Sequence, residues 1–329
     1  MRNTEPARVR LLPSGPAARI FAHSISVSGD VVHLWSYVSD GLGVFGQREV
    51  AFSLVRSPEA TPAEAPPDPV DLLRTIAMLA KEGRAVGDGG ITELDPSRAF
   101  LGREALRGFT YQAAWPLAGA ELPPGCLSAV ALVGHEMDTV KSFGALRVLA
   151  RIGRAHRFFP TAPWCDPARC PAMPVETQTV LAGVARGQFS DVTVAHHKNQ
   201  IVLRLPHGAR SALAAAGDGL PRQVPLALLT VLDPQADSCL VWTPGQRGPE
   251  AISSAGTRAS RTSGCFALLV PGQPADGGQV FEDGFALMLT DASSALIRDA
   301  FAAGTDLTIR AAEPRLHSMR LEWYGGASL

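Results

Sequence analysis

Three glycines, Gly41, Gly43 and Gly46, spell G-x-G-x-x-G behind an apolar run that ends at Val38. In a dinucleotide site this spacing lets the backbone approach a pyrophosphate, and the third glycine opens a helix whose first amides face the phosphates. Here Val50, Phe52 and Leu54 alternate with Glu49, Ala51 and Ser53, so a strand follows instead. The next acids, Glu59 and Glu64, fall in a proline-rich stretch. The triad therefore reads as a glycine-rich connection between strands. Metal chemistry fares no better. Cys165 and Cys170 have four residues between them and His156 upstream, but a structural zinc site needs a second close pair. His135-Glu136 opens like H-E-x-x-H, yet Thr139 stands where the second histidine belongs. His196 and His197 are adjacent, and on a strand they face opposite ways. Neither a G-x-S-x-G elbow nor a P-loop occurs. The expectation is no catalytic residue, no cofactor and no metal.

Charged residues offer more. Arg147, Arg151 and Arg154 recur at i, i+4 and i+7, one stripe on a helix, and His156 and Arg157 continue it. Such a stripe would dock an acidic segment of a partner protein through paired guanidinium contacts. The alternative is a solvated face, or internal pairing with Glu136 or Asp138. Asp40, Glu49, Asp237, Glu282 and Asp283 would supply paired carboxylates only if the fold gathered them. The candidate binding residues are thus Trp35, Asp40, Gln47 and Glu49 around the glycine turn, and Arg147, Arg151 and Arg154 on the stripe.

The elements that position these residues can be read from periodicity. Ile20 to Val27, Val31 to Val38 and Val50 to Leu54 are strands of a meander, with Ser28-Gly29-Asp30 and Gly41 to Gly46 as its turns. Glu59 to Pro67 is a loop. A helix follows, with Asp68 as its cap, Pro69 at the first position, Asp71 complementing the dipole and Gly83 at the end. Phe109 to Trp115 and Cys126 to Gly134 read as strands, Met137 to Gly153 as helix at least in its second half, and Phe158 to Pro174 as an irregular crossing. Later, Ile201 to Leu205 with Arg210 to Ala216, and Phe285 to Leu289 with Ser293 to Ala303, repeat a strand-then-helix pattern. Val224 to Leu232, Ser238 to Thr243, Gly264 to Val270, Leu307 to Ala311 and Met319 to Trp323 are further strands, and Ser253 to Ser263 and Gly272 to Gly278 are loops. The class is α+β: antiparallel or mixed β-sheets with a few packed helices. Two tightly associated halves are expected, 20–188 and 189–329, behind an N-terminal tail over 1–19.

With 329 residues, 46% of them hydrophobic and 19% charged, the chain can bury a large core. A formal charge of -1 excludes the basic excess of a typical nucleic-acid binder. No apolar run approaches a membrane span, so no membrane insertion is expected. Met1 to Arg10 is polar, without the apolar stretch of a signal peptide, and five cysteines are an odd number. A cytoplasmic protein with reduced thiols is expected, and the Ala, Gly, Pro and Arg bias with few Lys is that of a GC-rich, bacterial gene.

A family pattern runs through these segments. Trp35-Ser36-Tyr37-Val38-Ser39-Asp40-Gly41-Leu42 is followed by Gly46-Gln47-Arg48-Glu49-Val50, then Phe100-Leu101-Gly102 with Gly108-Phe109. Next come Arg147-Val148-Leu149-Ala150-Arg151-Ile152-Gly153, Phe159-Pro160, Ala236-Asp237-Ser238, Gly264, Glu282-Asp283-Gly284 and Glu322-Trp323. In this order the chain resembles the C-terminal domain of the FYVE-finger endosomal proteins, such as Smad anchor for receptor activation (SARA) and endofin. The FYVE zinc finger itself, with its paired cysteines, has no counterpart, nor does a Smad-binding segment. The resemblance implies a protein-interaction domain without established catalytic residues. More distantly the opening segment resembles the suppressor-of-fused fold, whose bacterial relatives include immunity proteins of toxin systems. The leading expectation is a non-enzymatic module that binds another protein. Its rivals are an immunity-type protein that blocks a toxin, and a hydrolase-like enzyme that brings Glu282 or Asp283 beside Asp40 and Glu49.

Overall fold

The computed structural model describes residues 6–27, 29–95, 97, 99–172, 178–253 and 256–325. The chain divides into two compact units, Met1–Asp138 with Ala162–Ala172, and Thr139–Thr161 with Met173–Leu329. The class is α+β, with mixed sheets.

Unit 1 is built on seven strands and one long helix. Its elements are β1 (Ala7–Arg10), β2 (Ala17–Val27), β3 (Asp30–Asp40), β4 (Val50–Val55), α1 (Asp68–Lys81), β5 (Ile91–Glu93), β6 (Leu106–Ala113) and β7 (Leu127–Val133). The sheet order is β1-β2-β3-β4-β7-β6-β5, antiparallel except for β4 against β7. Period-2 alternation sends Trp35, Tyr37, Phe52, Phe109 and Tyr111 to one face, where α1 covers them with Leu72, Leu73 and Ile76. Phe52, Phe100 and Phe109 meet edge to face, with ring centroids 5.1–6.0 Å apart. Of the tail expected over 1–19, the described residues from 6 on belong to the folded unit. Val9 and Leu11 add to this core, and β1 pairs with β2 in register Ala7↔Ile20 to Arg10↔Ala17.

Two local expectations change. The N-cap of α1 is Pro67, and Asp68 sits inside the first turn, where its Oδ1 accepts from Leu101 N at 3.1 Å. The helix expected from Met137 to Gly153 is two helices, α2 (Glu136–Phe143) and α3 (Ala145–His156). Gly144 interrupts them at φ 90°, a conformation open to glycine. The division between the units falls within α2.

Unit 2 continues with β8 (Ala185–His197), β9 (Gln200–Pro206), α4 (Arg210–Gly217), β10 (Leu226–Val231), β11 (Ser238–Val241), β12 (Glu250–Ser253) and β13 (Arg261–Ser263). Then come β14 (Phe266–Val270), β15 (Gly277–Phe281), β16 (Gly284–Met288), α5 (Asp291–Ala303), β17 (Leu307–Ile309) and β18 (Ser318–Tyr324). The described strands form one mixed sheet in which β8, β10, β14, β16 and β15 lie side by side. Alternation along β10 and β14 splits the core. Leu226, Leu228, Ala267 and Leu269 pack with Leu213 of α4 and Phe301 of α5, while Ala227, Leu229, Phe266 and Leu268 pack with Leu146 and Ala150 of α3. A boundary at Gln188 does not hold, because Gln188 is an interior residue of β8, paired with Leu229. Both expected strand-then-helix pairs form, as β9 with α4 and β16 with α5. The expected loop from Ser253 to Ser263 ends in a short strand, β13, and its residues 254–255 lie outside the described ones, as do Pro174 and Glu176.

Candidate functional site

The stretch from Trp35 to Val50 is a strand, a turn and a strand, and its polar groups hold the turn. Gly41 leaves β3 at φ 99°, one helical turn of the tighter 3₁₀ kind spans Leu42–Phe45, and Gly46 closes it at φ 71°. The Glu49 carboxylate reaches back over this turn. Its Oε1 accepts from Gly41 N at 2.9 Å and Leu42 N at 2.8 Å, and its Oε2 accepts from Ser39 Oγ at 2.5 Å. Amides at the start of a helical turn lack internal partners, and Glu49 supplies them. Gln47 is buried, donates to Val86 O and accepts from Val86 N at 2.7 Å, so it fastens this turn to the segment after α1. Trp35 donates from Nε1 to Thr61 O at 3.0 Å and pins the proline-rich loop. Asp40, half-buried like Glu49, lies beside Arg8 at 3.4 Å.

The arginine stripe is not an exposed docking face. Arg147 is 0% exposed and Arg151 3% exposed. Arg147 Nη2 donates to Asp283 Oδ1 at 2.5 Å and to Glu282 Oε2 at 3.2 Å, while its Nη1 donates to Thr179 Oγ1 at 2.9 Å. Arg151 donates to Trp242 O and lies 3.8 Å from Asp283 Oδ2. Arg154, nearer solvent, pairs with Glu250 at 2.9 Å. The pairing is internal, with acids of the β15–β16 hairpin and β12. Glu136, within unit 1, is held by Arg169 at 2.6 Å and by Ala172 N at 2.7 Å.

Asp40 and Glu49 belong to unit 1, and Glu282 and Asp283 to unit 2, each set engaged within its own unit. Asp237 accepts from Ser260 and Arg261. Its burial is slight and raises its pKa, but these hydrogen bonds outweigh it and hold the carboxyl below its usual range.

A nucleophile-like chain does occur in unit 1. His23 Nε2 lies 2.8 Å from Ser36 Oγ, Ser36 Oγ lies 2.6 Å from Ser53 Oγ, and His23 Nδ1 lies 2.8 Å from Ala118 O. All three side chains are buried, Ser36 completely, so no substrate reaches them and the chain cross-links β2, β3 and β4. Burial holds the imidazole pKa below its usual value, the Ala118 carbonyl opposes this, and Arg56 adds to it. Burial also pushes the Cys126 and Cys165 thiols up to about 12, which leaves them unreactive at neutral pH. Among the described residues no group of three or more His, Cys, Asp or Glu side chains is placed to hold a metal.

A concave site lies in unit 1, between α1 and β5. It is a cleft of about 260 Å³. Asp68 and Asp71 from α1 and Glu93 and Asp95 from β5 and its continuation supply four carboxylates, and Leu72 and Phe100 form its apolar wall. None of its described lining residues is basic. Thr92 on its wall accepts from Tyr111 Oη at 2.7 Å, and burial raises that phenol to about 12, so it stays a donor. Asp71 pairs with Arg74 one turn on, and Asp95 accepts from Ser97. Sequence reasoning missed this site. Asp68 and Asp71 were legible as residues one turn apart on a helix, but only the sheet brings Glu93 and Asp95 to them.

No known protein-family model matches the chain, and a search of curated proteins finds no match. No helix among the described residues is long and apolar enough to cross a membrane.

Proposed function

We propose that the protein is a non-enzymatic protein-interaction module, and that the cleft between α1 and β5 receives a basic side chain of its partner. The observation that carries this reading is the cleft's make-up: four carboxylates around an apolar wall, with none of the described lining residues basic. That combination suits the aliphatic stem and charged head of an arginine or lysine. Its volume of about 260 Å³ falls below the roughly 300–1,000 Å³ of small-molecule pockets and fits a single side chain. The resemblance to the C-terminal domain of the FYVE-finger proteins supports the same class of function. The acids of an enzymatic reading are occupied instead, Glu49 by backbone amides and Asp283 by Arg147.

The test fills the cleft from within. Thr75 is an exposed lining residue on α1, so Thr75→Arg places a cation in the cleft without disturbing the core. An arginine-rich peptide is expected to bind the wild-type protein in a salt-sensitive manner, and the variant at least tenfold more weakly with an unchanged melting temperature. Equal binding by both proteins would remove the cleft from the proposal.

A further inference from the structure

At the other edge of the unit 1 sheet, β1 carries a charge arrangement that strand pairing alone does not explain. Arg8 and Arg10 are two apart on β1, so they share one face. The register sets Arg8 directly opposite Arg19 and Arg10 directly opposite Ala17. Two like charges at directly opposed positions of an antiparallel pair destabilise it. Charge on an edge strand guards against unwanted pairing, but that purpose needs none on β2 behind it. Three guanidinium groups thus crowd one corner of the sheet. Two carboxylates answer them: Glu121 meets Arg19 at 3.0 Å, and Asp40 meets Arg8 at 3.4 Å, with Glu121 82% and Asp40 46% exposed. Arg10 has no ion-pair partner among the described residues, and Arg19 Nε is buried without a hydrogen bond.

The chain shapes a hollow beside these arginines. Leu11 is anchored in the core at 2% exposure, and its amide donates to Pro16 O at 3.0 Å, which folds residues 11–16 into a closed loop. Two prolines, Pro13 and Pro16, stiffen the loop, and Gly15 turns it at φ 101°. The result is a concavity of about 570 Å³ lined by Arg8, Arg10, Pro13, Ser14, Gly15 and Ala17. It is preformed, so little ordering remains to oppose binding.

We propose that this concavity is a binding site for a phosphate monoester, held by Arg8 and Arg10 with Ser14 as a further hydrogen-bond donor and Arg19 reinforcing the field. A dianion offers several acceptors to forked guanidinium groups, and it neutralises the repulsion that the register builds in. A formal charge of -1 for the whole chain makes this a local site, not a nucleic-acid track. The site is independent of the acidic cleft, since β1 and β5 are the opposite edges of the sheet.

The experiment titrates the full chain with inorganic phosphate, with a phosphoserine peptide and with the same peptide unphosphorylated, by calorimetry and by thermal shift. Phosphate and the phosphopeptide are expected to bind and to raise the melting temperature, and the unphosphorylated peptide is not. Arg10→Ala, at an exposed position, is expected to weaken binding roughly tenfold or more, the loss of charge-assisted hydrogen bonds. Asp40→Asn is expected to tighten it several-fold by releasing Arg8. Much tighter binding of the phosphopeptide identifies the source as a phosphorylated protein segment; equal affinities identify a free phosphate compound. The proposal fails if neither phosphate form binds at millimolar concentration. It fails equally if an Arg8→Ala/Arg10→Ala double variant binds as well as wild type, or if an oligonucleotide without terminal phosphates outcompetes the phosphopeptide.

Discussion

Glu49 in unit 1 and Asp283 in unit 2 are both carboxylates that hold a turn, yet they solve different physical problems. Glu49 is half-buried and accepts from neutral donors, two backbone amides and a hydroxyl, all within ten residues of it. Its charge keeps some contact with water, and its partners are presented by the glycines that shape the turn. Asp283 is 1% exposed and faces Arg147 at 0%, so neither charge is tolerable without the other. Local hydrogen bonding suffices for the first clasp. The second needs mutual neutralisation inside a core, and this difference sets how each will respond to mutation.

The largest effect is expected at the buried pair. Asp283→Ala should cost roughly 3–5 kcal/mol, because it leaves the Arg147 guanidinium buried without its main counter-charge. Chemical denaturation measures it. Replacing both partners by apolar residues of similar volume, Arg147→Met with Asp283→Leu, should recover most of that loss, since the cost lies in the orphaned charge. A double variant no better than the single one would show that Arg147 also holds its neighbours Thr179 and Glu282 in a way the apolar pair cannot replace.

Glu49→Ala should cost less, roughly 1–3 kcal/mol, the price of leaving partly buried amide donors unsatisfied. Hydrogen exchange should accelerate at Gly41 and Leu42 and leave β14 and β16 unchanged. A loss as large as that of Asp283→Ala would erase the distinction between the two clasps.

The smallest effect is a slope with pH. His23 in unit 1 and His196 in unit 2 both have pKa values lowered, in each case first by burial. The unfolded chain therefore binds protons more readily than the folded one, and stability rises with pH. The contribution is complete above about pH 6.5, the unfolded value, and declines as pH falls toward the lowered folded values. His23→Gln should flatten the acid limb measured for unit 1 and leave the part due to His196. An unaltered slope would assign the acid limb to other groups.

Much of the fold was legible. The alternation of Val50, Phe52 and Leu54 ruled out a dinucleotide loop, and the helix expected after the proline-rich loop formed as α1, because those patterns depend on near neighbours. What escaped were short or mixed segments. β1 holds four residues, two of them arginines, and becomes a strand only by pairing with β2. β8 crosses the expected boundary at Gln188 because its neighbours β9, β10 and β13 arrive from elsewhere in the chain. The stripe of Arg147, Arg151 and Arg154 was visible as one helix face, but which way that face turned was not.

By itself, the sequence determined the class, the order of most strands and helices, and the turn that Gly41 and Gly46 permit, since these follow from backbone freedom and hydrophobic period over a few residues. Only the tertiary structure decided the fate of the charges. Arg147 meets Asp283 across 136 positions of sequence, and Asp71 shares a cleft with Glu93 because a helix and an edge strand converge there. Whether a charged side chain becomes a buried staple or an open site depends on the dielectric and the partners that folding brings to it, and no local pattern records either.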